Sequence, residues 1–287
     1  MGVTASKNNL VHELFVRTAD ENYVTARWCA INRLTTDFFW LAVHALEKYL
    51  KAVLLVNGGT SKSHGHDIVK LYADVLAIAG PLLPVRLEQP ADLNVPHWFD
   101  RSVEEFIAHL LANGNADNRY LIYGYATRSE DLHMLDAMVF AIRRLICALD
   151  QPYIVSRRPD APSFTNRELL LRQPDHYNRL AMPLDVLISA RDDSGLRSAA
   201  LNLNMAFAPD DFPHEALRSG SSARNPVIVR RILQPLESDD PSWAAEGVEI
   251  ARWFLAKVKV PGSAKDPGVG QQITDAIETA RKKHNLP

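Results

Sequence analysis

The stretch DFFWLAVHALEKYLKAVLLVNG, Asp37 to Gly58, constrains the fold more than any other part of the chain. It runs from Asp37 to Asn57 without a glycine or proline. Phe39, Ala42, Val43, Leu46, Leu50, Val53 and Leu54 recur at three- and four-residue intervals, the period of one helix face. Thr36 and Asp37 can cap a helix starting near Phe38, and Gly58-Gly59 supply a stop after Val56. The next helix is expected to begin at His66 or Asp67, with Ile68, Leu71, Tyr72, Val75 and Leu76 on its apolar face. A pair of antiparallel helices follows, and the rest of the chain must cover their apolar faces.

The remaining segments repeat the pattern. Helices are expected over residues 20–33, 101–112 and 131–149, and shorter ones near 183–190, 194–206, 240–258 and 267–284. Residues 80–96 carry Pro81, Pro84, Pro90 and Pro96 and read as a surface loop. Long alternating strand patterns and solenoid-period repeats are lacking, so the class is all-α. A shift to proline and arginine in QPYIVSRRPDAPSF places a boundary near Asp150. It divides a helical bundle, residues 1–150, from a helical C-terminal extension, residues 151–287.

The 34 acidic and 32 basic residues nearly balance, so any nucleic-acid surface must be local rather than global. The two cysteines, Cys29 and Cys147, lie within apolar helical patterns and read as reduced core residues. The N-terminus has neither the basic start nor the apolar run of a secretion signal, and Met1-Gly2 with Ser6 matches the myristoylation pattern only superficially. The longest apolar runs are interrupted by charge before a bilayer-spanning length. A cytoplasmic protein without membrane contact is expected.

Several polar groups invite chemistry. His44, Glu47, Lys48 and Lys51 form a second stripe on the helix of Asp37 to Gly58, with Glu47 and Lys51 in the favourable acid-before-base order. A solvated stripe and a polar seam facing a partner helix or a phosphate both satisfy that spacing. His64, His66 and Asp67 offer metal-ligand chemistry, but two histidines in one loop fall short of a site, and neither a metal nor a cofactor is expected. GGTSK is not a phosphate loop, because no glycine precedes the lysine and the flanking order is helix then helix. Asn202 and Asn204 fall within an apolar helical pattern, so one is expected to be buried and hydrogen-bonded. Arg218, Arg224, Arg230 and Arg231 form a local basic run, suited either to RNA phosphates or to nearby acids such as Glu237, Asp239 and Asp240.

In combination, DFFWLAVHALEKYLKAVLLVNG and the following GHDIVKL resemble the first half of a HEPN domain. DENYVTARW is similar to the entry helix of that family, Arg119-Tyr120 in NRYLIYGY to its Arg-Tyr element, and LHMLDAMVFAIRRLICAL to its last core helix. The resemblance covers residues 15 to 150 and implies a bundle of four to five core helices that pairs as a homodimer. It implies one of two activities. Many members are metal-independent endoribonucleases of toxin or defence systems. Others bind RNA, nucleotides or a protein partner, such as an antitoxin or a nucleotidyltransferase, without cleaving RNA. Active members place Arg four to six residues before His at the start of the last core helix, and RSEDLH supplies Arg128 and His133. In that role His133 would exchange the proton of a ribose hydroxyl or leaving oxygen, and Arg128 would hold the phosphate. The motif departs from the family in Ser129, where a larger polar residue is usual, and in the acids Glu130 and Asp131. Arg119, Tyr120, His44, Glu47 and Lys51 are the candidates for lining an RNA or nucleotide groove.

Overall fold

In the computed structural model, α3 (Thr35–Val56) is the central helix, and its burial follows from its composition. The structure describes residues 2–91, 98–114, 125, 127–128, 130–153, 164–190, 195–209, 212, 229–258 and 268–287. Phe39, Ala42, Leu46, Tyr49, Leu50 and Val53 are fully buried. A helix apolar on most of its circumference must be surrounded, and α3 packs against α2 (Arg17–Ile31), α4 (Ile68–Ala79), α5 (Val103–Gly114) and α6 (Asp131–Arg143). Its start comes earlier than Thr36 and Asp37 suggest: Leu34 is the N-cap residue and makes no side-chain cap. Its end is as the glycines require. Gly58 lies at φ 80°, and the Gly59 amide donates to the Leu54 carbonyl at 2.8 Å. Asp67 caps α4, its carboxylate accepting from the amides of Val69 and Lys70.

The helix expected from Asp20 extends back almost to the N-terminus. A first helix, α1 (Val3–Val11), runs through a π-type turn over His12–Val16 into α2. Leu10, Val11, Val16, Ala19 and Tyr23 are buried along it. Within the proline-bearing stretch, β1 (Arg86–Leu87) pairs antiparallel with β2 (Arg101–Ser102), and this short ribbon leads directly into α5. At the end of α5, a Cβ on Gly114 would stand 2.4 Å from the Phe39 carbonyl oxygen and 2.7 Å from Val43 Cγ2. Gly114→Ala is therefore expected to destabilise the bundle by about 1–3 kcal/mol in urea unfolding, because backbone atoms must retreat. Gly58→Ala meets open space and carries only the backbone cost of its left-handed conformation, about 1 kcal/mol.

Beyond residue 150 the chain adds β3 (Pro152–Tyr153) paired with β4 (Phe164–Thr165), then α7 (Asn166–Arg172), α8 (Pro183–Ser189) and α9 (Gly195–Leu201). α10 (Gln234–Glu237), α11 (Pro241–Lys257) and α12 (Gly268–His284) complete the described elements. Their apolar side chains join those of residues 1–150 in one continuous core that includes Leu184, Leu201, Ile232, Ala251 and Ile273. Polar contacts reinforce the junction. Arg231 Nε donates to Glu13 at 2.7 Å rather than to the acids near residue 240, and the Ser61 amide donates to the Lys257 carbonyl at 3.1 Å. Arg218 and Arg224, like the side chain of Arg230, lie outside the described residues. Asn204 is the buried asparagine, donating to the Tyr23 hydroxyl and the Ala200 carbonyl. Among the described residues no helix is long and apolar enough to cross a membrane.

Two buried ion clusters fix α6 and the following segments against α2. Arg143, at the end of α6, donates to both carboxylate oxygens of Asp20 at 2.9 Å and to those of Asp185 at 2.9 and 3.0 Å. Asp20 also accepts from the Tyr49 hydroxyl and the Leu184 amide, and Asp185 accepts from the Tyr177 hydroxyl and the amides of Leu180 and Met182. One turn or more along α6, Asp136 accepts from the Tyr23 hydroxyl and from Arg27, which also donates to the carbonyls of Ala199 and Asn202. Every charge in these two clusters is paired and hydrogen-bonded, as a low-dielectric interior requires.

Candidate functional site

The start of α6 holds the first group of candidate residues. Arg128 lies just before its first turn and His133 within it, and the two face different surroundings. The Arg128 amide donates to Asp131 Oδ2 at 2.7 Å, which caps the turn, while its side chain extends outward and remains 43% exposed. Its guanidinium lies over the Phe99 ring, 4.3 Å from the centroid, and reaches to 4.0 Å from Glu130 Oε1. Phe99 is 55% exposed and also stands 5.8 Å from the Arg101 guanidinium carbon. Asp131 is drawn inward, accepting from Arg101 at 3.0 Å, with His109 Nε2 at 3.2 Å but out of hydrogen-bond alignment. The acids of the motif are thus buried beside the base of the turn, and the arginine and the aromatic ring are presented to solvent. Tyr125, also exposed, leans on Phe39 of α3 with ring centroids 6.4 Å apart. Arg119 and Tyr120 lie outside the described residues.

His133 faces inward. It lines a cavity of about 120 Å³ together with Pro90, Asp136, Ala137, Met205 and Ala206. Burial, and then the charge of Arg27, lower its pKa to about 4, although the Leu203 carbonyl pulls the other way. At neutral pH its imidazole is uncharged.

The second group is the polar stripe of α3, and the structure brings it together on the loop that joins α3 to α4. Glu47 is buried, and its Oε1 accepts from Lys51 Nζ at 2.5 Å. Its Oε2 lies 3.0 Å from His66 Nδ1 and 3.5 Å from His44 Nδ1. Burial alone would raise the Glu47 pKa; the contacts from His44, Lys51 and His66 outweigh it and hold the carboxyl at about 2. Lys51 donates again to the Gly65 carbonyl at 2.8 Å, so it ties the loop directly to the helix. Lys48 turns the other way and donates to Asn22 Oδ1 of α2 at 2.5 Å. The stripe is therefore a seam with internal partners. His64, the other loop histidine, is buried and joins Asp74 of α4 at 2.6 Å instead.

No protein-family model, curated protein or solved structure matches this chain. The geometry alone carries the functional reading.

Sequence reasoning missed two participants. Phe99 stood in a proline-bearing loop beside Trp98 and Arg101, and aromatic residues next to arginine were the available signal. His66 was visible as a loop histidine, but its partners lie on the preceding helix across the Gly58-Gly59 turn, where spacing in the chain gives no indication of contact.

Proposed function

We propose that this chain is a HEPN-like protein that binds RNA or a nucleotide, without cleaving it, at the surface formed by Phe99 and Arg128. The observation that carries the reading is the guanidinium of Arg128 stacked at 4.3 Å on an exposed phenylalanine. A guanidinium with one face on a ring keeps its N–H edge for a phosphate, and an exposed ring offers a face to an unstacked base. His133 suits this reading better than acid–base chemistry. With a pKa near 4 it is not the imidazolium a general acid needs at neutral pH, and it is a weak base.

A second reading, a metal-independent endoribonuclease completed by a second copy, draws on the position of Arg128 just before the first turn of α6 and of His133 within it. The two separate cleanly. Single-stranded RNA incubated with the protein in chelator should be retained and recovered intact. Fragments ending in 2′,3′-cyclic phosphate, abolished by His133→Ala with the helical circular dichroism unchanged, would establish the nuclease instead.

A further inference from the structure

We infer that His44, Glu47 and His66 form a binding site for a divalent transition-metal ion of the imidazole-preferring kind, with zinc the natural probe. The inference is independent of the RNA reading. One ligand atom from each residue, the two imidazole nitrogens and a carboxylate oxygen, falls within a sphere of mutual separations no larger than 4.8 Å. Zinc bonded to nitrogen and oxygen at about 2.0–2.1 Å in a tetrahedron sets its ligand atoms about 3.4 Å apart. The separations of 3.0 Å between Glu47 and His66 and 3.5 Å between Glu47 and His44 bracket that value. Two histidines and one carboxylate are a complete three-ligand set, leaving further positions for water or a substrate.

The supports around the triad hold it in place. His44 and Glu47 stand three apart on α3, so the helix itself fixes their relation. Lys51 holds Glu47 Oε1 and leaves Oε2 facing the histidines, which sets the carboxylate to bind through one oxygen. The same ammonium grips the Gly65 carbonyl, one residue before His66, and so positions the loop ligand. Trp40 meets the His44 ring edge-on, with centroids 4.1 Å apart, and restricts its rotation. His66 is 82% exposed in its side chain, so the open coordination positions face solvent. On binding, each imidazole presents the Nδ1 lone pair to the ion and carries its proton on Nε2, so neutral rings need release no proton. The Lys51 charge opposes the ion, and the site is accordingly one of moderate affinity rather than a structural zinc cage.

Zinc titration of the full chain by calorimetry, and cobalt titration followed by visible absorption, test the inference. The expected result is one ion per chain, with cobalt giving the intense visible bands of a four-coordinate site. His66→Ala should weaken binding by roughly tenfold or more and remove the bands, as should His44→Ala. The exposed position of His66 makes its variant a test that does not depend on folding. His109→Ala, away from the triad, should leave binding unchanged. Absence of saturable binding, or an affinity unchanged in either the His44→Ala or the His66→Ala variant, would overturn the site.

Discussion

Arg143→Met should lose about 3–5 kcal/mol of stability in urea unfolding, because it strands two buried carboxylates. Asp20 and Asp185 are both closed to solvent and share this one guanidinium. Burial works against the Arg143 charge, but the attraction of Asp20 and Asp185 more than offsets it and keeps the group protonated. Removing the arginine leaves the hydrogen bonds from Tyr49, Tyr177 and the amides of Leu180, Met182 and Leu184, which cannot balance two negative charges. Replacing the cluster as a whole, with Asp20→Asn and Asp185→Asn added to Arg143→Met, should recover part of the loss, since no unpaired ion then remains at this position. A single variant within about 1 kcal/mol of the parent would show that the cluster is not a closed ion pair. The cluster matters to the candidate site because it anchors the end of the helix whose first turn carries His133 and follows directly on Arg128.

Acid should destabilise the fold from about pH 6.5 downward. His12, facing Arg143 and Asp185, and His133, facing Arg27, are both lowered from 6.5 to about 4, first by burial and then by the neighbouring arginine. A folded-state pKa below the unfolded value means that the unfolded chain takes up the proton first. The stability is therefore complete above pH 6.5 and is lost as the pH falls from there toward 4. At about 1.4 kcal/mol per unit, His12 contributes up to about 3 kcal/mol, and the more solvated His133 less. Urea midpoints measured between pH 7 and 5 should fall with about two extra protons bound on unfolding at the lower end, one for each histidine, and His12→Gln should roughly halve the slope. A midpoint independent of pH over that interval would show that neither half-buried histidine has a lowered pKa.

The sequence made some of this legible and concealed the rest for identifiable reasons. The burial of α3, the glycine stop and the Asp67 cap follow from local pattern, because each depends on residues within a few positions of one another. The short ribbon of Arg86–Leu87 with Arg101–Ser102 was hidden, since two-residue strands leave no periodicity. The polar stripe was legible as a stripe, but its meaning depended on which way each side chain turned. Lys48 turned to Asn22, while Glu47 and Lys51 turned to the loop. His133 lies in the first turn of the expected helix and Arg128 three residues before it, yet one points to Phe99 and the other into a cavity beside Asp136. That divergence is set by tertiary packing and could not be read from a five-residue spacing.

The most direct measurement of the central claim is the affinity of a short fluorescent single-stranded RNA, followed by anisotropy at several salt concentrations. The parent should bind with an affinity that falls as salt rises, and Arg128→Ala should reduce that slope by about one. Phe99→Ala should weaken binding by about 1–3 kcal/mol through the loss of a stacking face, with a similar salt slope. RNA that does not bind the parent, or binds both variants as tightly as the parent, would contradict the assignment of this surface.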